Sequence, residues 1–233
     1  MKLSLSIIIP CYNEKNTISE LLNRVENEIT ENDEIILVDD ASNDGTREIL
    51  EKNKKKKIKL ILLDVNRGKG NAIRVGVDHC KNDIVIIQDA DLEYNPKDYK
   101  NLILPFYETD ADVVYGSRFI GGHKYVRIHL FFHYIANRLL TFLCNLTTNL
   151  NMTDMETGYK AFKKGIIKSI KIEENTFSVE PEITIKLAKK KYKFFEVPIS
   201  YSGRNYDEGK KIGLKDAFIA VFTILKYSIK ANK

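Results

Sequence analysis

Cysteine is scarce in this chain. There are three, Cys11, Cys80 and Cys144, far apart and in no C-x-x-C or C-x-x-H spacing. That excludes a disulfide framework and a zinc knuckle, and it points to a reducing, cytoplasmic compartment. A bilayer-crossing run is also missing. Spanning takes about 20 apolar residues, and the longest uncharged stretch, 139–153, is interrupted by Asn145, Asn149 and Asn151. No signal-peptide pattern precedes the first strand-like segment, and there is no internal repeat or low-complexity linker. Neither sign of charge dominates: 37 Lys+Arg against 32 Asp+Glu leaves +5, interleaved along the 233 residues. Such a balance does not suggest nucleic acid as a partner. The one charge run, 52–57, broken by Asn53, reads as a solvated loop.

What is present is a series of continuous apolar runs: 5–10 (LSIIIP), 34–39 (EIILVD), 59–63 (KLILL), 83–88 (DIVIIQ) and 112–116 (DVVYG). Continuous rather than alternating runs suit parallel strands buried on both faces. Helical stretches separate them. Thr17-Ile18-Ser19-Glu20 spells a capping box ahead of Leu21, Leu22 and Val25, 46–51 and 71–80 fit further helices, and Asn95-Pro96 supplies a cap and a first-turn proline. This alternation predicts an α/β domain with a mostly parallel central sheet. Over 125–148, apolar residues from Ile128 to Leu146 make a helical stripe, with a polar ridge (His129, His133, Asn137, Thr141, Asn145) beside it. Helices are expected at 181–190 and 214–230 and a strand at 194–200. The division expected is 1–213 as the α/β domain, carrying the amphipathic helix 125–148, and 214–233 as a C-terminal amphipathic helix.

In open α/β sheets, ligands sit beyond the carboxyl ends of the strands. Three of the expected strands end in acids there: the first at Glu14, the second at Asp39, Asp40 and Asp44, the fourth at Asp89, Asp91 and Glu93. Carboxylates gathered on one rim repel each other unless cations intervene. A hard divalent ion carrying phosphate oxygens resolves that repulsion. Asp89 and Asp91, as D-x-D after a strand, are read as metal-facing, whereas Asp44 is read as a turn cap. Arg67-Gly68-Lys69-Gly70-Asn71 opens a helix where backbone N–H groups favour an anion. It lacks the third glycine of a dinucleotide fingerprint, because Ile73 stands there. Gly116-Ser117-Arg118 places a guanidinium on the same rim. Arg204 to Lys211 forms a glycine-containing basic loop suited to phosphate.

Taken together, IPCYNE (9–14), VDDASNDGT (38–46), RGKGNA (67–72), QDADLE (88–93), GSR (116–118), DMETGYK (154–160) and RNYDEGKKI (204–212) resemble glycosyltransferase family 2, within it the dolichol- and polyprenyl-phosphate sugar synthases. The resemblance covers roughly 5–216 and implies a GT-A fold. It implies that Pro10, Tyr12, Glu14, Val38 and Asp40 hold the donor's nucleoside, and that Asp89, Ala90 and Asp91 meet its diphosphate. By the same resemblance Asp89, Asp91 and Glu93 ligate Mg²⁺ or Mn²⁺, Glu93 standing where relatives often carry Gln. Lys69, Arg118, Arg204 and Lys210 would meet phosphates. The reaction implied is inverting hexosyl transfer from a nucleotide-diphosphate sugar to a polyprenyl or dolichyl phosphate, with Asp91 and Arg118 central. The alternative is a sugar-hydroxyl acceptor on a surface glycan, with Asp154 as general base. The lipid reading puts the enzyme peripherally on the cytoplasmic face of a membrane, touching it through the 125–148 and 214–230 stripes. Otherwise those stripes pack on the core or form a homodimer contact.

Overall fold

The computed structural model describes residues 3–52, 56–121, 130–203 and 214–230. Among these the chain runs β1 (Leu5–Cys11), α1 (Ile18–Glu28), β2 (Glu34–Asp39), α2 (Thr46–Lys52), β3 (Ile58–Leu62), α3 (Lys69–His79) and β4 (Ile84–Ile87). It continues through a 3₁₀ turn (Pro96–Asp98), α4 (Tyr99–Glu108), β5 (Val113–Ser117), α5 (Phe131–Thr148), β6 (Lys160–Lys163), α6 (Lys164–Lys168), α7 (Val179–Lys189), β7 (Phe194–Pro198) and α8 (Leu214–Ile229). The strands form one sheet in the order β3-β2-β1-β4-β6-β5-β7. All pairings are parallel except those of β6, which runs antiparallel to both β4 and β5.

The apolar runs make strands because both faces are covered. Ile7, Ile9, Ile35 and Leu37 face α1 and α4, while Ile8, Ile36 and Val38 face α3 and the later helices. All seven are fully buried. The chain leaves β1 to build β2 and β3 on one side, then returns to place β4 on the other. The carboxyl ends of β1 and β4 therefore diverge at a topological switch point, where such sheets bind ligands.

One local expectation is corrected and one strand is added. The capping box at Thr17 does not form: Thr17 Oγ1 donates instead to the Glu14 carboxylate at 2.7 Å, and Glu20 pairs with Arg24. The strand β6 (KAFK), paired with β4 and β5, was not among the expected strands. Its Lys160 is fully buried, because its ammonium meets the Glu180 carboxylate and the Met155 carbonyl.

α5 is oriented opposite to the usual rule that an apolar stripe faces the core. Phe131, Phe132, Leu139, Phe142 and Leu146 are exposed. The polar ridge turns inward: Asn137 donates to Asp154, Thr141 accepts from the Met155 N–H, and Asn145 holds both polar backbone groups of Met152. α8 packs against α5 and α7 and exposes Phe218, Phe222, Leu225 and Ile229. No described helix is long and apolar enough to cross a membrane.

Candidate active site

A cavity of about 400 Å³ opens at the switch point. Its first wall follows β1 and β2. Pro10, Tyr12, Glu14 and Asp40 line it, and Tyr12 is partly exposed. Two non-glycine residues in the left-handed region, Asn13 and Ala41, turn the chain here. Asn13 and Asn43 clasp each other through two hydrogen bonds of 3.0 and 2.9 Å, which hold the β1 and β2 loops together. Asp40 accepts from the Arg67 N–H at 3.1 Å and the Gly68 N–H at 2.6 Å, fixing the loop before α3. Asp44 caps its turn, accepting from the Thr46 N–H at 3.0 Å; burial raises its pKa, but the Thr46 and Lys15 donors outweigh this and leave it lowered. Val38 is not part of this wall. Its side chain is fully buried in the core cluster that holds Ala72 and Ile73.

The glycines at the start of α3 do not leave the helix end open to an anion. The Asn175 carbonyl accepts from the Gly70 and Asn71 N–H groups at 2.7 and 3.2 Å, so the chain itself occupies that end. The approach is so close that a Cβ on Gly70 would lie 2.3 Å from the Glu174 carbonyl oxygen, and Gly68 sits at φ +99°. Gly70→Ala is therefore expected to lower stability by about 1–3 kcal/mol, the usual cost of overpacking. Urea unfolding would show it as a lower midpoint with an unchanged slope. An unchanged midpoint would mean that the 174–175 segment gives way.

The second wall follows β4. Buried Gln88 accepts from the hydroxyls of Tyr99 at 2.7 Å and Tyr159 at 2.6 Å, and donates to the Asp89 carbonyl. This fixes the turn that presents Asp89, Ala90, Asp91 and Glu93 to the cavity. Asp89 Oδ1 lies 2.7 Å from the Lys69 ammonium, which also meets Glu180 at 3.0 Å. Glu180 in turn pairs with Lys160. Burial alone would lower the Lys69 pKa, but Asp89 and Glu180 outweigh it and hold the ammonium charged. Asp91 accepts from the Glu93 N–H at 3.0 Å, and Glu93 Oε2 accepts from the Tyr201 hydroxyl at 2.6 Å.

The third wall follows β5. Arg118 lines the cavity, its guanidinium 5.0 Å from the Tyr201 ring centre. Asp154 holds it in a two-pronged pair, both contacts 2.7 Å, and also accepts from the Arg118 N–H. Asp154 is fully buried and does not line the cavity. Burial raises its pKa, but the pair with Arg118 more than compensates, leaving it below the usual value. Both of its oxygens are thus committed to holding Arg118, which is the geometry of a positioning group rather than of a base facing an acceptor.

Several lining residues escaped sequence reasoning: Tyr94, Glu156, Phe177, Glu180, Tyr201 and Asp216. Two of them carry an oxygen buried without a hydrogen-bond partner among the described residues, Glu156 Oε1 and Glu180 Oε1, and Glu180 Oε1 still meets the Lys69 ammonium at 3.0 Å. Burial, with Glu180 nearby, pushes the Glu156 carboxyl up to about 7. Arg204 and Lys210 lie outside the described residues.

The donor set suits a hard cation. Among the described residues no three His, Cys, Asp or Glu side chains gather to hold a metal by themselves. Mg²⁺ or Mn²⁺ bound through substrate phosphates asks for only one or two carboxylates. Asp91 supplies one at the cavity wall, with Asp89 next to it; Glu93 is drawn towards Tyr201.

Comparison with known proteins follows this geometry. A family model described as glycosyl transferase family 2 matches residues 6–171. The chain is 30% identical over 211 residues to an undecaprenyl-phosphate 4-deoxy-4-formamido-L-arabinose transferase of Edwardsiella ictaluri, covering 88% of this chain and 62% of that one. It is 29% identical over 215 residues to a dolichol-phosphate mannosyltransferase of Pyrococcus furiosus, covering 91% of this chain and 60% of that one. The chain thus spans about three fifths of these two curated relatives. Among solved structures it resembles glucosyl-3-phosphoglycerate synthase from Mycobacterium tuberculosis, crystallised with Mn²⁺, uridine diphosphate and phosphoglyceric acid. The TM-score is 0.74 at 17% identity, over 99% of this chain and 80% of that one.

Proposed function

From the premise that the chain belongs to glycosyl transferase family 2 and has the GT-A fold, we propose that it transfers a sugar from a nucleotide-diphosphate sugar to a polyprenyl phosphate. The observation that carries this reading is one cavity lined by Tyr12, Lys69, Asp91 and Arg118, residues that are far apart in the sequence. Tyr12 and Asp40 bound the nucleoside end. Lys69 and Arg118 orient the anionic diphosphate, each held in place by a buried carboxylate. Mg²⁺ or Mn²⁺ bound at Asp91, with Asp89, would neutralise charge on the departing diphosphate. A phosphate oxygen of the acceptor attacks the anomeric carbon from the face opposite the diphosphate. The anomeric carbon–oxygen bond to the diphosphate breaks, the nucleoside diphosphate leaves, and the anomer inverts.

An anionic acceptor needs no strong general base, so positioning dominates. This agrees with an Asp154 whose oxygens are committed to Arg118 and Asn137. The sugar-hydroxyl alternative would need a carboxylate facing the acceptor, and Asp154 does not face the cavity. The exposed aromatic faces of α5 and α8 support a peripheral position on a membrane, and the side we assign is the cytoplasmic one. Asp216, in the first turn of α8, lines the cavity and so brings the start of that helix to it.

The direct test offers UDP-glucose, UDP-galactose and GDP-mannose, each labelled in the sugar, with a short-chain polyprenyl phosphate and Mn²⁺. The expected result is label extracted with the lipid for one donor. Label released only to water, for all three, would contradict the reading. Co-sedimentation with phosphatidylcholine–phosphatidylglycerol vesicles tests the surface. Phe131→Ser/Phe132→Ser/Phe222→Ser is expected to weaken binding at least about tenfold, given 1.5–3 kcal/mol per fully buried large side chain. A triple variant that binds vesicles normally but loses self-association would assign the face to a homodimer instead.

A further inference from the structure

Glu156 takes no part in the steps above, yet it lines the same cavity. Its position is fixed from both sides. Two residues earlier, Asp154 anchors the Arg118 guanidinium. Two residues later, Gly158 lies so close to Asp89 that a Cβ there would be 2.3 Å from its Oδ2. The Gly158 N–H is also pinned by the Tyr94 hydroxyl at 2.7 Å. The intervening residue is thereby held between the cation and the D-x-D carboxylate, next to where a diphosphate would lie.

The neighbouring buried charges already have partners: Lys69 lies between Asp89 and Glu180, and Lys160 on Glu180. Glu156 Oε1 has none among the described residues. A buried acceptor left unpaired carries a desolvation penalty, and such atoms are rare in folded proteins. A ligand that brings a donor removes the penalty. The diphosphate offers no donor of its own to an acceptor oxygen, and its charge repels a carboxylate. On the reading given above, the nucleoside end lies along Tyr12 and Asp40, which line the same cavity. The remaining part of the donor is the sugar, which carries O–H or N–H groups.

We propose that Glu156 Oε1 accepts a hydrogen bond from a hydroxyl or amino group of the transferred sugar, making Glu156 a specificity-determining residue. The inference rests on the nucleotide-sugar reading given above and adds which side chain reads the sugar. Donors lacking that group, as deoxy or O-methyl sugars, would leave Oε1 buried and unpaired, which a site built for hydrogen bonding rejects.

The test compares affinities by calorimetry with Mn²⁺ present: UDP against UDP-glucose and UDP-galactose, and GDP against GDP-mannose. The quantity read is the ratio of nucleotide-sugar Kd to free-diphosphate Kd. Glu156→Ala is expected to leave the diphosphate Kd within about twofold and to raise that ratio about 5- to 150-fold, the range of one unmade buried hydrogen bond. Glu156→Gln keeps an acceptor oxygen and should raise it less. If the alanine variant does not fold, the isosteric glutamine variant carries the test, with a ratio raised at least about threefold expected. An unchanged ratio overturns the inference while leaving the functional reading intact. An equal loss of diphosphate and sugar nucleotide also overturns it, since Glu156 would then act on the diphosphate or its metal. A wild-type chain that binds neither UDP nor GDP overturns the functional reading and this inference with it.

Discussion

Asp91→Asn is expected to lower sugar transfer by roughly 10³-fold, because it removes a carboxylate charge that would help hold a divalent cation against the departing diphosphate. The fold should survive. The asparagine keeps an oxygen that can accept from the Glu93 N–H, the contact Asp91 makes at 3.0 Å. The substitution thus separates chemistry from stability, and the melting temperature should stay within a few degrees of the parent's. Asp89→Asn would be a less clean experiment, since Asp89 also holds Lys69 at 2.7 Å. Steady-state transfer with a labelled nucleotide sugar measures the effect. An Asp91→Asn enzyme retaining more than about a tenth of parental activity would contradict this role, as a loss that small is less than one transition-state donor is usually worth.

Lys160→Met is expected to cost about 3–5 kcal/mol of folding stability, the penalty for breaking a buried ion pair from one side. Lys160 has no exposed surface, and its ammonium serves Glu180 together with the carbonyls of Met155 and Thr157. Without it, Glu180 depends on Lys69 alone and two carbonyls lose their donor. The loss should reach the cavity, since Glu180 and Glu156 both line it. Urea unfolding of the variant against the parent gives the number. A loss under about 1 kcal/mol would show that Glu180 finds another partner or takes up a proton.

The sheet was legible where burial on both faces left its mark on consecutive residues. Ile7 to Ile9, Ile35 to Val38 and Ile84 to Ile87 are apolar throughout because each strand is covered above and below. β6 was not legible, because the burial of Lys160 depends on Glu180, a partner twenty residues away on another element. The same holds for the cavity. Acids at strand ends pointed to Asp40, Asp89 and Asp91, since chain order alone brings them to one rim. Glu156 and Glu180 give no such local signal, although a glutamate inside the apolar opening of α7 was an available hint. Composition identified the two faces of α5 but not which one turns inward. That was decided by Asp154 and the 152–155 backbone, which draw Asn137, Thr141 and Asn145 against the domain. The glycines of 67–72 signalled a close approach, and the approaching group proved to be the chain's own 174–175 backbone.

Calorimetric titration of UDP and GDP, with and without Mn²⁺, into the parent chain and Asp91→Asn probes the shared cavity most directly. One nucleotide should bind the parent at one site per chain, about tenfold or more tighter with Mn²⁺, and that metal gain should vanish in Asp91→Asn. Binding of neither nucleotide, or the same metal gain in both proteins, would contradict a diphosphate held at Asp91 between Lys69 and Arg118.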